Sequence, residues 1–256
     1  QLLTEQMNFR NLFGNIPVVT KNLIIINFIV WLAMMILPGR LGIEIDAVAG
    51  LHYLTAPDFA PWQFFTYMFM HSTQNFAHLF FNMFMLLMFG GIVERTMGAP
   101  RFLFYYITCG LCAGLVQEAF WALTWEPEFV KTIANLNGVD FEYVRQALAS
   151  GEIDSLVGQY QNMMVTIGAS GSIYGVLLAF GMLFPNRPLY IMFIPVPVKA
   201  KWVVIGNGVI ELLIGMGSAR GAVDGIAHWA HLGGMIFGLL IMLYWKRKGI
   251  VHGDNY

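Results

Sequence analysis

Cysteine is scarce in this chain, with only Cys109 and Cys112 among 256 residues. Both fall in an apolar run, so Cys-Gly-Leu-Cys reads as small packing residues rather than a redox or zinc pair. Charge is scarce as well: 11% of residues are Asp, Glu, Lys or Arg and the formal net charge is -1, which leaves no basic patch to hold nucleic acid. Of the six histidines, those at 71, 78, 228 and 231 could suggest a metal site, but no His-Glu-x-x-His is present, so neither a metal nor a cofactor is expected. No small-residue cleavage site follows the first apolar run, which therefore reads as a retained helix and not a signal peptide. What is abundant is apolar surface. At 57% hydrophobic and 15% aromatic residues, the chain is too apolar for a soluble globular domain of this length and is expected to be a multi-pass membrane protein.

Hydropathy and breakers divide the chain into six spans. Residues 7–17 form a mixed lead-in, and residues 18–37 the first span, ended by Pro38-Gly39. Residues 39–74 mix Pro, Gly, Asp and aromatics and suit an interfacial loop with short helices. Residues 77–93 and 102–125 are the second and third spans. Residues 126–163 break the apolar pattern with six acids against Lys131 and Arg145. This stretch reads as an extramembrane insertion folded as a small helical cap, with an amphipathic helix over 141–148. The fourth span is Ser170 to Leu183, followed by a proline-interrupted connector over 185–201. The fifth and sixth are residues 202–216 and 227–245, separated by a polar loop over 217–226. Glu211 in the fifth span is an intramembrane acid and so a functional candidate by default, although a structural hydrogen-bonding role is the simpler reading.

Orientation follows from the basic residues. Arg10, Lys21, Arg95, Arg101, Arg187, Lys199, Lys201, Lys246, Arg247 and Lys248 fall on one side. Arg40, Lys131, Arg145 and Arg220 fall on the other. Ten against four predicts both termini in the cytoplasm; the expected location, not given by this count, is a bacterial inner (plasma) membrane. His78, Ser170 and His231 then lie at one depth near the outer face, about 6 to 8 Å in at helical rise.

The fourth span is too short. Its 14 residues reach roughly 21 Å at about 1.5 Å per residue, against roughly 30 Å of hydrocarbon, so this helix begins inside the membrane. Irregular backbone at such depth survives only against protein or water, so Gly168-Ala169-Ser170-Gly171 lines wet space, with a hydroxyl at a positive helix terminus. Alone, the segment would read as a small-residue packing face. A serine becomes a nucleophile when a neutral imidazole takes its proton, and the sixth span offers His228 and His231. At about 100° per residue, Gly234 and Gly238 lie about 60° and 20° from His231 but about 120° and 80° from His228. The glycine face is where another helix can approach, so His231 is expected to face Ser170 and His228 to meet the loop or headgroups. Ser170, Tyr174 and Gly181 share a face of the fourth helix by the same arithmetic. Donors for an oxyanion are available in the Ser170 amide and the side chains of His78 and Asn82, which stand one turn apart.

Gly168-Ala-Ser170-Gly171 with Tyr174, His78-x-x-x-Asn82, Ala230-His231-x-x-Gly234, and Glu94 followed by Gly98 together resemble the rhomboid family of intramembrane serine proteases. The resemblance covers about residues 17 to 245 with the motifs in the family's order. It implies an all-α, polytopic six-helix bundle with a short central fourth helix, forming one membrane-embedded domain with the 126–163 segment inserted. It also implies a Ser170/His231 dyad without a third acidic member, Tyr174 packed on His231, an oxyanion site that includes His78 and Asn82, and Gly168, Gly171, Gly234 and Gly238 as supports. The implied substrates are transmembrane-anchored proteins cut near the outer face, at small residues. The chain departs from the family in two places: Trp62-Gln63 stands where many relatives carry Trp-Arg, and the 126–163 segment is long.

Competing readings are weaker. The run Gly168-Ala-Ser-Gly-Ser172 lacks the final glycine of the soluble hydrolase elbow. A transporter would show a second broken helix in the other half. A catalytically silent, client-binding relative would be expected to lack the serine or the histidine.

Overall fold

A computed structural model describes residues 15–42, 44–190, 196–218 and 226–253. Arg10, Arg220 and the loop over 219–225 lie outside them. Among the described residues the chain is an all-α bundle. Five helices are long and apolar enough to cross a membrane: α1 (Val18–Leu41), then α2 (Ile45–Ala49) in the loop, β1 (Leu51–His52), α3 (Gln63–Thr66) and the second long helix α4 (Phe76–Met97). They continue with α5 (Ala99–Asn137), the short α6 (Phe141–Ser150) and α7 (Asp154–Asn162), β2 (Val165–Thr166), and the 14-residue α8 (Ser170–Leu183). After the β3 (Pro188–Leu189) and β4 (Val198–Lys199) hairpin come α9 (Ala200–Ser218) and α10 (His228–Arg247).

The short helix is the centre of the bundle. Ten of its residues, among them Ile173, Val176, Phe180 and Leu183, are buried against α4, α5, α9 and α10. The outer helix α1 instead exposes Ile25, Phe28, Ile29 and Met35. Such an apolar exterior is stable only in lipid, and the chain is a multi-pass membrane protein.

The N-terminus of α1 is capped from another helix. Pro17 offers no side-chain cap, and the carboxylate of Glu94, 3% exposed, accepts from Val19 N (2.9 Å), Thr20 N (2.7 Å) and Thr20 Oγ1 (2.8 Å). Gly98 then turns the chain at φ +82°, a region that favours glycine, which brings α5 back beside α4. Replacing Glu94 by Ala leaves buried donors unsatisfied at about 1–3 kcal/mol each. We expect a lower thermal midpoint in detergent for Glu94→Ala, with Glu94→Gln between it and the parent.

Three helices run four or more residues past their expected ends, the second of them reaching Met97 instead of Val93. The first continues through Pro38 to Gly42, whose left-handed conformation (φ 65°) stops it, because a proline three residues from the end removes a single backbone bond. The third continues through Pro127 for 39 residues, about 58 Å at helical rise, where a break after Trp125 was expected. Packing overrides the local signal: Phe129, Val130 and Ala134 form a separate apolar core with Val144 of α6, flanked by Val157 and Tyr160 of α7. The amphipathic helix expected over 141–148 is present as α6, with Asp140 accepting from Glu142 N at 2.7 Å.

This cap sits on the first loop. Asp58 and Asn162 exchange two hydrogen bonds (3.0 and 2.8 Å), and β1 pairs antiparallel with β2, setting Leu51 opposite Thr166. Gln63 organises the same loop without the charge of an arginine: its amide accepts from His52 N (3.2 Å) and donates to the carbonyls of Val48 (3.2 Å) and Asp58 (2.9 Å). Gly168 N then donates to Tyr67 O at 2.9 Å. The loop therefore fixes the backbone that leads into Ser170.

Candidate active site

Gly168 adopts φ +136°, which an L side chain rarely tolerates, and this turn delivers Ser170 as the first residue of α8. From there α8 and α10 touch backbone to backbone. A Cβ built on Gly234 would stand 1.9 Å from Gly171 O, and one on Gly175 would stand 3.1 Å from Gly234 O. Only glycines permit this approach. Gly238 differs from expectation, since its added Cβ would meet Tyr105 Oη of α5 at 2.4 Å. One turn along α10 the neighbour has changed from the fourth helix to the third.

The close approach brings His231 Nε2 to 2.8 Å from Ser170 Oγ. The ring of His231, 7% exposed, lies flat on that of Tyr174 with centroids 4.3 Å apart and planes 6° apart. On its far side His231 Nδ1 is 3.0 Å from Glu211 Oε2. A carboxylate only accepts, so Nδ1 carries the proton, and a neutral ring then has Nε2 free to accept from the serine hydroxyl. The same Oε2 lies 2.6 Å from His228 Nδ1, and the Tyr174 hydroxyl donates to Oε1.

His228 thus departs from expectation. At 3% exposure it is buried beside Glu211 rather than at the headgroups; the loop over 219–225 that it was also expected to meet lies outside the described residues. Its Nδ1 meets the carboxylate, whereas the contact with Ser170 is made by His231 Nε2. The three groups Glu211, His228 and His231 hold ligand-type atoms within 4.8 Å of one another, but those atoms are the ones already joined by the hydrogen bonds above. The sequence signal for this cluster was an acid within a membrane span, which did not name its partners.

On the other side of Gly168 stands His78. Ser72 N donates to its Nδ1 at 3.3 Å, so Nε2 carries the proton. A Cβ on Gly168 would lie 3.0 Å from that Nε2 and 3.5 Å from Ser170 Oγ, so donor and hydroxyl border the same space. Asn82, 8% exposed, donates to the His78 carbonyl at 2.7 Å and lines a cavity of about 190 Å³ with Ile173, Tyr174 and Asn207. Behind His78, with ring centroids 5.0 Å apart, His71 has its pKa lowered to about 3 by burial and, secondarily, by His78. It is neutral at ordinary pH.

A buried short helix headed by a hydroxyl in contact with an imidazole, inside a polytopic apolar bundle, defines a class of membrane protein with hydrolase-type side chains in its interior. The chain belongs to the rhomboid family, with residues 58–248 matching the Rhomboid domain. It is 28% identical over 173 residues to Rhomboid protein 1, mitochondrial, of Saccharomyces cerevisiae, covering 68% of this chain and 39% of that protein. It is 30% identical over 135 residues to Rhomboid protease GlpG of an Enterobacter species (52% and 45%), and 29% over 87 residues to Rhomboid protease GlpG of Haemophilus influenzae (33% and 44%). The matched part spans less than half the length of each of these relatives.

Proposed function

We propose that this chain is an intramembrane serine endopeptidase that cleaves transmembrane-anchored proteins near the outer membrane face. The contact that carries this reading is Ser170 Oγ to His231 Nε2 at 2.8 Å, at the head of a helix too short to cross. His231 takes the hydroxyl proton as Oγ attacks the scissile carbonyl, then gives it to the leaving amine, and water releases the acyl group from Ser170. The oxyanion is met by the Ser170 amide, His78 Nε2 and Asn82. Loss of one such donor typically costs about 2.7–4 kcal/mol of transition-state stabilisation. The protease domain is a single unit over about 17–245 with 126–163 as an extramembrane insertion, seated in a bacterial plasma membrane with both termini cytoplasmic. The charge asymmetry of the loops supports that orientation.

Treatment of the purified protein with a mechanism-based serine-hydrolase reagent is expected to add one adduct, on Ser170. Ser170→Ala is expected to lose both the adduct and cleavage of a single-span substrate while still binding that substrate. An adduct on another serine, or cleavage retained in Ser170→Ala, overturns the assignment.

A further inference from the structure

Glu211 lies on α9 and is 6% exposed, although its neighbours Ile205, Val209, Ile210 and Leu213 face outward. A buried carboxylate is costly unless its oxygens are supplied with donors. Among the described residues it has three donors, and they belong to the site. His231 and His228 share Oε2 at 3.0 and 2.6 Å, and Tyr174 donates to Oε1. Two of the three, His231 and Tyr174, are also stacked on each other. The structural cap Glu94 also has three donors; what marks Glu211 is that its donors include the imidazole that meets Ser170 and the ring stacked on it.

Resting on the reading of Ser170 and His231 as nucleophile and base, we infer that Glu211 is a positioning residue for that base, giving the site an acidic third member held on a separate helix. It acts in two ways. By accepting from Nδ1 it selects the tautomer whose Nε2 faces Ser170. By accepting from Tyr174 as well, it fixes the plane in which the ring of His231 lies. His228 is the second donor on Oε2 and restrains the carboxylate. Among the described residues, the titratable groups facing Glu211 are Tyr174 from α8 and His228 and His231 from α10. The inference extends the pair that the family resemblance implies to a serine, histidine and glutamate in series across α8, α10 and α9.

The test uses the full chain in detergent with one single-span substrate. Glu211→Gln keeps the size of the side chain but can present an amide N–H to Nδ1, which favours the wrong tautomer. It is expected to lower kcat by about 10²-fold or more, within the range of general acid–base catalysis. KM should stay within about two-fold and the thermal midpoint near that of the parent, since α8 and α10 still meet at their glycines. The rate of Ser170 labelling should fall in parallel, and Glu211→Asp, which restores a carboxylate, should recover part of kcat. A purely structural role would move the thermal midpoint and would not separate Asp from Gln in kcat. If Glu211→Gln does not fold, Tyr174→Phe decides: it keeps the stacked ring but removes the bond to Oε1, and a fall in kcat of roughly three- to ten-fold is expected. Full activity in whichever of these variants folds overturns the role of Glu211 and leaves the proposed protease intact. Retained cleavage in Ser170→Ala instead overturns the protease reading itself.

Discussion

His231→Ala is expected to abolish measurable turnover, a loss of up to about 10⁴-fold, while His228→Ala retains most of it, with both proteins folded. The two imidazoles are three residues apart on α10, both are buried, and both bond the same carboxylate oxygen. What separates them is the second nitrogen. His231 Nε2 is 2.8 Å from Ser170 Oγ, and without that acceptor the hydroxyl keeps its proton and is a poor nucleophile. Removing His228 takes one donor from Glu211 Oε2 and leaves the bonds from His231 and Tyr174 in place. The cost is a looser carboxylate, so a decline of no more than about ten-fold, one hydrogen bond's worth, is expected. Turnover of one transmembrane substrate in one detergent compares the two. A His228→Ala protein as dead as His231→Ala would mean that the carboxylate depends on His228, and the reverse pattern would overturn the register of α10.

Gly234→Ala is expected to damage both stability and activity, although a methyl group is the smallest possible addition. Its Cβ would stand 1.9 Å from Gly171 O and 2.7 Å from Gly171 C, and these are backbone atoms of a helix buried on all sides, so the helices themselves must part. Overpacking of this kind costs typically about 1–3 kcal/mol, against up to about 1 kcal/mol gained from alanine's helix propensity. The activity loss should be larger in proportion. The bond from Ser170 Oγ to His231 Nε2 bridges the same two helices one turn away, and a displacement near 1 Å can cost about 10²-fold. Gly206→Ala on α9 is the control: nothing lies within 4 Å of its added Cβ, and it should leave thermal midpoint and turnover unchanged. Thermal unfolding and turnover on the same three preparations check both halves. An active, stable Gly234→Ala would show that the close helix contact is not what holds the pair together.

Much of the site was legible in the chain because its rules are local. The start and stop of α8 coincide with the expected Ser170 and Leu183, since a polar glycine-rich entry and a Phe-Pro exit bracket an apolar run. The choice of His231 over His228 followed from helical angles to Gly234, and the structure places His231 against Ser170. The same arithmetic placed Tyr174 beside the imidazole. It erred at Gly238, which faces Tyr105, because an angle names a face of one helix and not the helix that covers it. The end of the third helix was misread for a related reason: the acids and Pro127 are real local breakers, but Phe129 and Val130 are buried by residues of α6 and α7.

The sequence by itself determined that this is a polytopic helical membrane protein, where its short helix begins, and which serine and histidine can meet, because hydropathy, helix length and the 3.6-residue period act along one segment at a time. Only the tertiary structure decided what Glu211 does. Its partners lie 37, 17 and 20 residues away in the chain, and whether a carboxylate meets lipid, one hydroxyl or two imidazoles depends on the rotation of three helices about their own axes. The same holds for His228, whose burial beside Glu211 no helical angle gave, and for Gln63, whose neutral amide bridges three backbone groups of a folded loop. In each case the energy of a polar group in an apolar interior depends on partners that only packing brings within about 3 Å.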